Sequence, residues 1–189
     1  MPRIDADTVE EHREALRRRV FAAFADLMAE HSFDAISMAQ IAARAEVGRT
    51  AIYHHFPDKE AVLVTFATHE TGRYLVALQE QLVGADSPAD ALRLYIRHHL
   101  ASGEQFHMGL GRQMSGVVSP ASRTAIREHV LAVEAVLRQI IADGVAQGAF
   151  VVDDVDTTLL LIHSCLSPRD LDQAGVERFL LRAVSNSAP

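Results

Sequence analysis

The sequence predicts an all-α protein, on three observations. Apolar residues recur at helical spacing in nearly every segment, and strand-like alternation is almost absent. Caps and breaks punctuate the chain at helix-like intervals, Ser119-Pro120 being the clearest start and Gly148 a clear stop. The stretch from Ser37 to Lys59, SMAQIAARAEVGRTAIYHHFPDK, packs two short amphipathic patterns around a tight turn.

Thr8 to Glu30 forms the first helix, with Leu16, Val20, Ala23, Phe24 and Leu27 on one face. Arg17, Arg18 and Arg19 are consecutive, so they fan over roughly 200° and cannot all meet one partner. Phe33-Asp34-Ala35-Ile36 is a connector anchored by its Phe and Ile. Ser37 caps a second helix that runs to Ala45 and turns Met38, Ile41, Ala42 and Ala45 inward. Glu46-Val47-Gly48 is the turn. A third helix starts at Arg49, buries Ala51, Ile52 and Phe56, and stops at Pro57. Asp58 caps a long helix from Lys59 to Val83, closed by Gly84-Ala85-Asp86-Ser87-Pro88. Further helices run over Ala89–Ala101, Gln105–Met114, from Ser119-Pro120 to Gln147, from Asp154 through Leu166, and over Leu171–Val184.

The residues of segment 37–59 left facing outward are basic, aromatic and His-rich. Two short helices about a tight turn with such a face read as a helix-turn-helix, and point to double-stranded DNA. Arg49 reaches a guanine edge or clamps a phosphate, and Thr50 touches a thymine methyl or a phosphate. Tyr53 and His54 lie at the next turn, Tyr53 with its hydroxyl toward the DNA backbone. Ser37 and Lys59 position the protein on the duplex without reading sequence. His55 precedes Phe56, and its role stays open between packing and contact.

From Arg13 to Leu63 the chain resembles the DNA-binding domain of the tetracycline-repressor (TetR) family of bacterial regulators. The resemblance rests on Phe24, Phe33-Asp34-Ala35, Ile41-Ala42, Ala45-x-Val47, Ile52-Tyr53-x-His55-Phe56 and Lys59-Glu60. Two residues depart from it: Glu46 stands where the family usually has Gly, and Gly48 where it often has a small hydroxyl residue. The resemblance implies a helix-turn-helix domain over residues 8–62 and a ligand-binding and dimerisation domain over 63–189. It implies a homodimeric repressor that a small-molecule effector releases from pseudo-palindromic operator DNA, with no cofactor. The last two helices then pair with their copies in a second subunit. Val155, Leu159, Ile162, Phe179, Leu180 and Leu181 belong to that interface or to the adjoining core. Tyr95, His99, Phe106, His107, Met108, Met114 and His163 are the expected lining of an effector pocket, with Met and Phe as adaptable wall and the imidazoles as polar handles.

Composition narrows the alternatives. The net charge of −7 means that DNA binding must come from local placement of Arg and Lys. The single cysteine, Cys165, leaves no intramolecular disulfide framework and fits a reducing compartment. With no signal-like or membrane-length apolar run, a cytoplasmic protein is expected. No Ser-His-Asp ordering, helical zinc-hydrolase motif or glycine-rich phosphate loop argues for an enzyme. His98-His99 and His163-x-Cys165 have the wrong helical spacing to share an ion, so no metal site is assigned. A metal-responsive regulator using the C-terminal histidines, and a helical interaction module that has lost DNA binding, are the rival readings.

Overall fold

The computed structural model describes residues 6–102, 118–166 and 171–185. Among these residues the chain is helical: α1 (Ala6–Glu30), α2 (Met38–Arg44), α3 (Arg49–His55), α4 (Lys59–Leu82), α5 (Pro88–Ala101), α6 (Pro120–Ala146), α7 (Val155–Leu166) and α8 (Gln173–Val184). A 3-10 turn, Phe33–Ala35, joins α1 to α2, and an isolated antiparallel bridge pairs Phe150 with Ser185. The helix expected over Gln105–Met114 lies outside the described residues.

The helix starts have chemical causes. Ser37 and Gln40 form a reciprocal capping box on α2, and the Ala61 amide donates to Asp58 at 2.8 Å ahead of α4. Ser87 accepts from the Asp90 amide, Ser119 from the Ser122 amide, and Asp154 from the Thr157 amide. Asp172 caps α8 through the amides of Ala174 and Gly175, so that helix opens two residues later than the periodicity suggests.

Two helices end in the same motif with different residues. At the close of α6 the Gly148 amide donates to Val145 O and the Ala149 amide to Gly144 O, with Gly148 at φ 70°. At the close of α2 the Glu46 amide donates to Ala43 O and the Val47 amide to Ala42 O, with Glu46 at φ 54°. Both are paired 5→2 and 6→1 closures that need a left-handed residue. Glycine takes that conformation freely, whereas Glu46 carries a Cβ into it. Glu46 is the one non-glycine with positive φ among the described residues, and it sits in the turn before α3.

The chain folds as two compact units. The first holds residues 6–68 and 118–126 of those described, the second 69–102, 127–166 and 171–185. The first core packs Phe21, Phe24, Phe33, Phe56 and Phe66 with Val20, Ile41, Ile52, Val62 and Leu63. Its rings meet edge-on: Phe24 and Phe66 centroids are 5.5 Å apart, and Phe21 and Phe66 5.6 Å. Val62, Leu63 and Phe66 explain why the first unit extends past residue 62 into α4. Val118 and Ile126 bring the start of α6 into the same core, so the unit is not contiguous in sequence. The second core gathers Leu78, Leu92, Ile96, Val133, Leu137, Ile141, Leu159, Ile162, Leu166, Leu180 and Val184. On α6 the buried stripe is Ile126, Val133, Leu137, Ile140 and Ile141, while Val130 and Val145 turn outward.

Relief of the strain at the α2 end is measurable. The left-handed conformation costs an L-residue about 1–2 kcal/mol, of which glycine's chain entropy takes back roughly half. Glu46→Gly is therefore expected to stabilise the protein by about 0.5–1 kcal/mol in urea unfolding. An unchanged or lowered midpoint would contradict strain at this residue.

Candidate nucleic-acid interface

The third helix is only seven residues long, too short to hold its own shape in water. Its surroundings hold it. Ile52 is fully buried, Phe56 is 4% exposed at its end, and Val47 packs beneath the turn that precedes it. Gly48 caps α3 without a side-chain hydrogen bond, and nothing lies within 4 Å of where a Cβ would stand. Arg19 donates to the Glu46 carbonyl at 3.1 Å, tying the strained turn back to α1. Arg44 closes the other side, its two guanidinium nitrogens donating to the Glu30 carboxylate at 3.1 and 2.9 Å.

This leaves Arg49, Thr50, Tyr53 and His54 exposed together on α3. The Arg49 guanidinium carbon lies 5.5 Å from the Tyr53 ring centroid, and the His54 and His55 rings meet edge-on at 5.5 Å. His55 is half-buried against Phe56. Burial lowers its pKa first, and the positive groups His54, Arg13, Arg17 and His12 add to that. Ser37 is exposed, with its hydroxyl engaged in the capping box: it accepts from the Gln40 amide and donates to Gln40 Oε1 at 2.7 Å.

Lys59 is placed otherwise than expected. Its Nζ donates to the carbonyls of Phe33, Asp34 and Ile36 at 3.0, 3.1 and 3.0 Å, and lies 4.7 Å from the Phe33 ring centroid. An ammonium has three donors, and all three are committed. Lys59 thus clamps the connector before α2. Its neighbour Glu60 reaches the start of α6, accepting from the Ser119 amide at 3.1 Å and the Ser122 hydroxyl at 2.6 Å. Those hydrogen bonds, Ser119 first and then Ser122, hold the Glu60 carboxyl below the usual range. Neither contact carries a local signal, because the partners are more than 20 residues away in sequence.

In the second unit, three expected pocket residues come together. The Tyr95 hydroxyl is 3.1 Å from His163 Nε2, the Tyr95 and His99 rings stack at 5.8 Å, and the His99 and His163 rings are 6.1 Å apart. Tyr74 joins them unforeseen, with its hydroxyl 2.9 Å from His99 Nδ1 and its ring 4.5 Å from that of His98. Burial raises both phenol pKa values, so each O–H stays protonated and able to donate to a neutral imidazole. His98 is 8% exposed, its pKa lowered by burial, and its Nε2 has no hydrogen-bond partner among the described residues. Phe106, His107, Met108 and Met114 lie outside the described residues. Among those described, no group of three or more His, Cys, Asp or Glu side chains is placed to hold a metal ion. None of the described helices is long and apolar enough to cross a membrane.

The expected interface residues divide. Leu159, Ile162 and Leu180 are 1–2% exposed, spent on the core of their own unit, with no side-chain area left for a partner. Val155 and Leu181 are half-buried against that core. Phe179 is 62% exposed, and so are Leu160 at 68% and Leu161 at 62%, two residues that the periodicity does not single out.

Comparison with known proteins follows the same division. Residues 20–65 match the family model described as bacterial regulatory proteins, tetR family, and residues 85–168 match the tetracyclin repressor-like C-terminal domain. The HTH-type transcriptional repressor Rv1474c of Mycobacterium tuberculosis is 30% identical over 107 residues, 56% of this chain and 50% of that protein. The matched stretch therefore spans half the length of that curated relative. The TetR family transcriptional regulator PfmR from Thermus thermophilus matches with a TM-score of 0.68 and 25% identity, covering 87% of this chain and 95% of that one. The transcriptional regulator FadR from Bacillus subtilis, solved with stearoyl-CoA, matches with a TM-score of 0.76 over 91% of this chain and 99% of that one. At 17% identity, this is a likeness of fold.

The clamp distinguishes two roles for Lys59. Lys59→Met is expected to destabilise the protein by about 1–3 kcal/mol, because it removes a donor shared by three carbonyls of the connector. The salt dependence of DNA binding should stay as steep as in the wild type. Wild-type stability with a shallower salt dependence would return Lys59 to the phosphate-contact role.

Proposed function

Since the chain belongs to the TetR family of bacterial transcriptional regulators, we propose that it is a homodimeric repressor released from a pseudo-palindromic operator by a small molecule. The observation that carries this reading is the exposed set Arg49, Thr50, Tyr53 and His54 on a helix whose opposite face is sealed by Ile52. Such a helix presents donors and a thymine-matching methyl to the major groove while its own stability comes from elsewhere. Ser37, at the start of α2, stays a candidate for backbone contact.

Two copies are needed because one seven-residue helix covers too few base pairs to discriminate well. Leu160, Leu161 and Phe179 supply an apolar surface on the last two helices that suits a second copy. The small-molecule reading rests on the Tyr74, Tyr95, His99 and His163 cluster, which puts hydrogen-bonding groups beside an apolar core. The related fold of the Bacillus subtilis FadR holds an acyl-CoA, which makes long-chain acyl compounds the first effectors to screen. Tyr74 and Lys59 lie on the same helix, α4, so a ligand that reshapes the cluster bears on the helix that clamps the reading head. Coupling of about 1–3 kcal/mol between effector and DNA suffices for such a switch. A cytoplasmic location goes with this role.

Two measurements check the proposal. Fluorescence anisotropy against a duplex selected from a random pool should show binding that weakens steeply with salt, with Arg49→Ala costing about 1–3 kcal/mol. Affinity equal to that for scrambled duplex, and indifferent to Arg49→Ala, would favour an interaction module instead. Sedimentation at micromolar concentration should show a dimer that Leu160→Asp with Phe179→Asp converts to a folded monomer. A wild-type monomer, or a variant that stays dimeric, would remove the α7–α8 face from the assembly.

A further inference from the structure

Arg49 and Tyr53 are four residues apart on the exposed face of α3, one above the other by helical geometry. Helical side chains lean toward the N-terminus, so the Tyr53 ring covers the turn that carries Arg49. The guanidinium carbon lies 5.5 Å from the ring centroid, within cation–π range. Beyond this ring contact, the Arg49 guanidinium has no hydrogen bond or ion pair among the described residues. Arg19 and Arg44, on the flanks of the turn, differ: both spend N–H groups on Glu46 O and Glu30 respectively.

We propose that Tyr53 is a specificity-determining positioning residue, whose ring holds the Arg49 guanidinium ready to read a base edge. The inference rests on the DNA-binding reading above and names how its central side chain is oriented. A cation–π contact pairs none of the N–H groups of the guanidinium with a hydrogen-bond acceptor. The N–H groups lie around its rim, in the plane, and stay available for the O6 and N7 of a guanine. An arginine free in solvent gives up rotamer freedom when it docks, and one already resting on a ring gives up less. Gly48, just before Arg49, has no side chain, and apart from its chain neighbours nothing lies within 4 Å of where a Cβ would stand.

Tyr53 then has two separable parts: a ring that serves Arg49, and a hydroxyl at its far end for the DNA backbone. Phenylalanine keeps the first and loses the second, while leucine loses both. At 42% exposure Tyr53 is not a core residue, so both variants should fold, with melting curves to confirm it.

The test starts from a duplex selected by the wild-type protein out of a random pool. The base pair read by Arg49 is the one whose substitution costs the wild type affinity but leaves Arg49→Ala unaffected. At that base pair Tyr53→Leu should lower discrimination about two- to fivefold, the size of an exposed cation–π contact, and leave the other positions unchanged. Tyr53→Phe should keep discrimination at wild-type level while affinity for all duplexes falls together. Equal, sequence-independent losses in both variants, with discrimination intact, would overturn the inference alone and leave Tyr53 as a backbone contact. A wild-type protein that selects no sequence would overturn the DNA-binding reading and this inference with it.

Discussion

The ammonium of Lys59 satisfies three carbonyls in the connector between α1 and α2, at Phe33, Asp34 and Ile36. Within the connector only the Phe33 carbonyl has a further donor among the described residues, the Ile36 amide at 3.2 Å, and Phe33 and Ile36 are drawn into the core beside the clamp. Lys59 is also the first residue of α4, so the same contact joins the start of that helix to the entry of α2. The position of α2, of the turn after it, and of α3 follows from that junction together with the ring packing of Phe24, Phe33 and Phe66. The placement of α3 thus leans on a charge already engaged within the fold.

The turn between α2 and α3 shows the opposite economy. Its geometry asks for a left-handed residue, and the chain supplies Glu46, an acid with a Cβ. The family resemblance places glycine there, and the φ of 54° gives the physical reason. The same closure at the end of α6 is made with Gly148, so the strain belongs to the residue and not to the motif. Glu46 also adds a negative charge beside a helix proposed to meet phosphates, on a chain whose net charge is already −7. The proposed binding is therefore local, resting on a handful of side chains on α3 and not on a broad basic field.

Much of this was legible in the sequence because its causes are local. The caps at Ser37, Asp58, Ser119 and Asp154, and the stop at Gly148, each act within four residues. Most of the exposed face of α3 followed from the period of Ile52 and Phe56, but Ala51, expected inward, is exposed. The clamp by Lys59 was not legible, since nothing near residue 59 reveals three carbonyls some 25 residues earlier. Tyr74 likewise meets His99 only because α4 packs on α5. The run Leu159-Leu160-Leu161-Ile162 is apolar on every side, so periodicity cannot say which of its residues face the core. Packing decides that: Leu159 and Ile162 go inward, while Leu160 and Leu161 stay out.

The central claim is that a short helix, held in place by its surroundings, enters the major groove twice on one duplex. Guanine-N7 methylation interference tests it most directly, because N7 lies in that groove and nowhere else. On a duplex selected by the wild-type protein, the account predicts two symmetric clusters of interfering guanines, centred about one helical turn, or a multiple of it, apart. A single cluster would contradict the dimeric reader. Binding without interference at any guanine N7 would contradict entry of α3 into the groove.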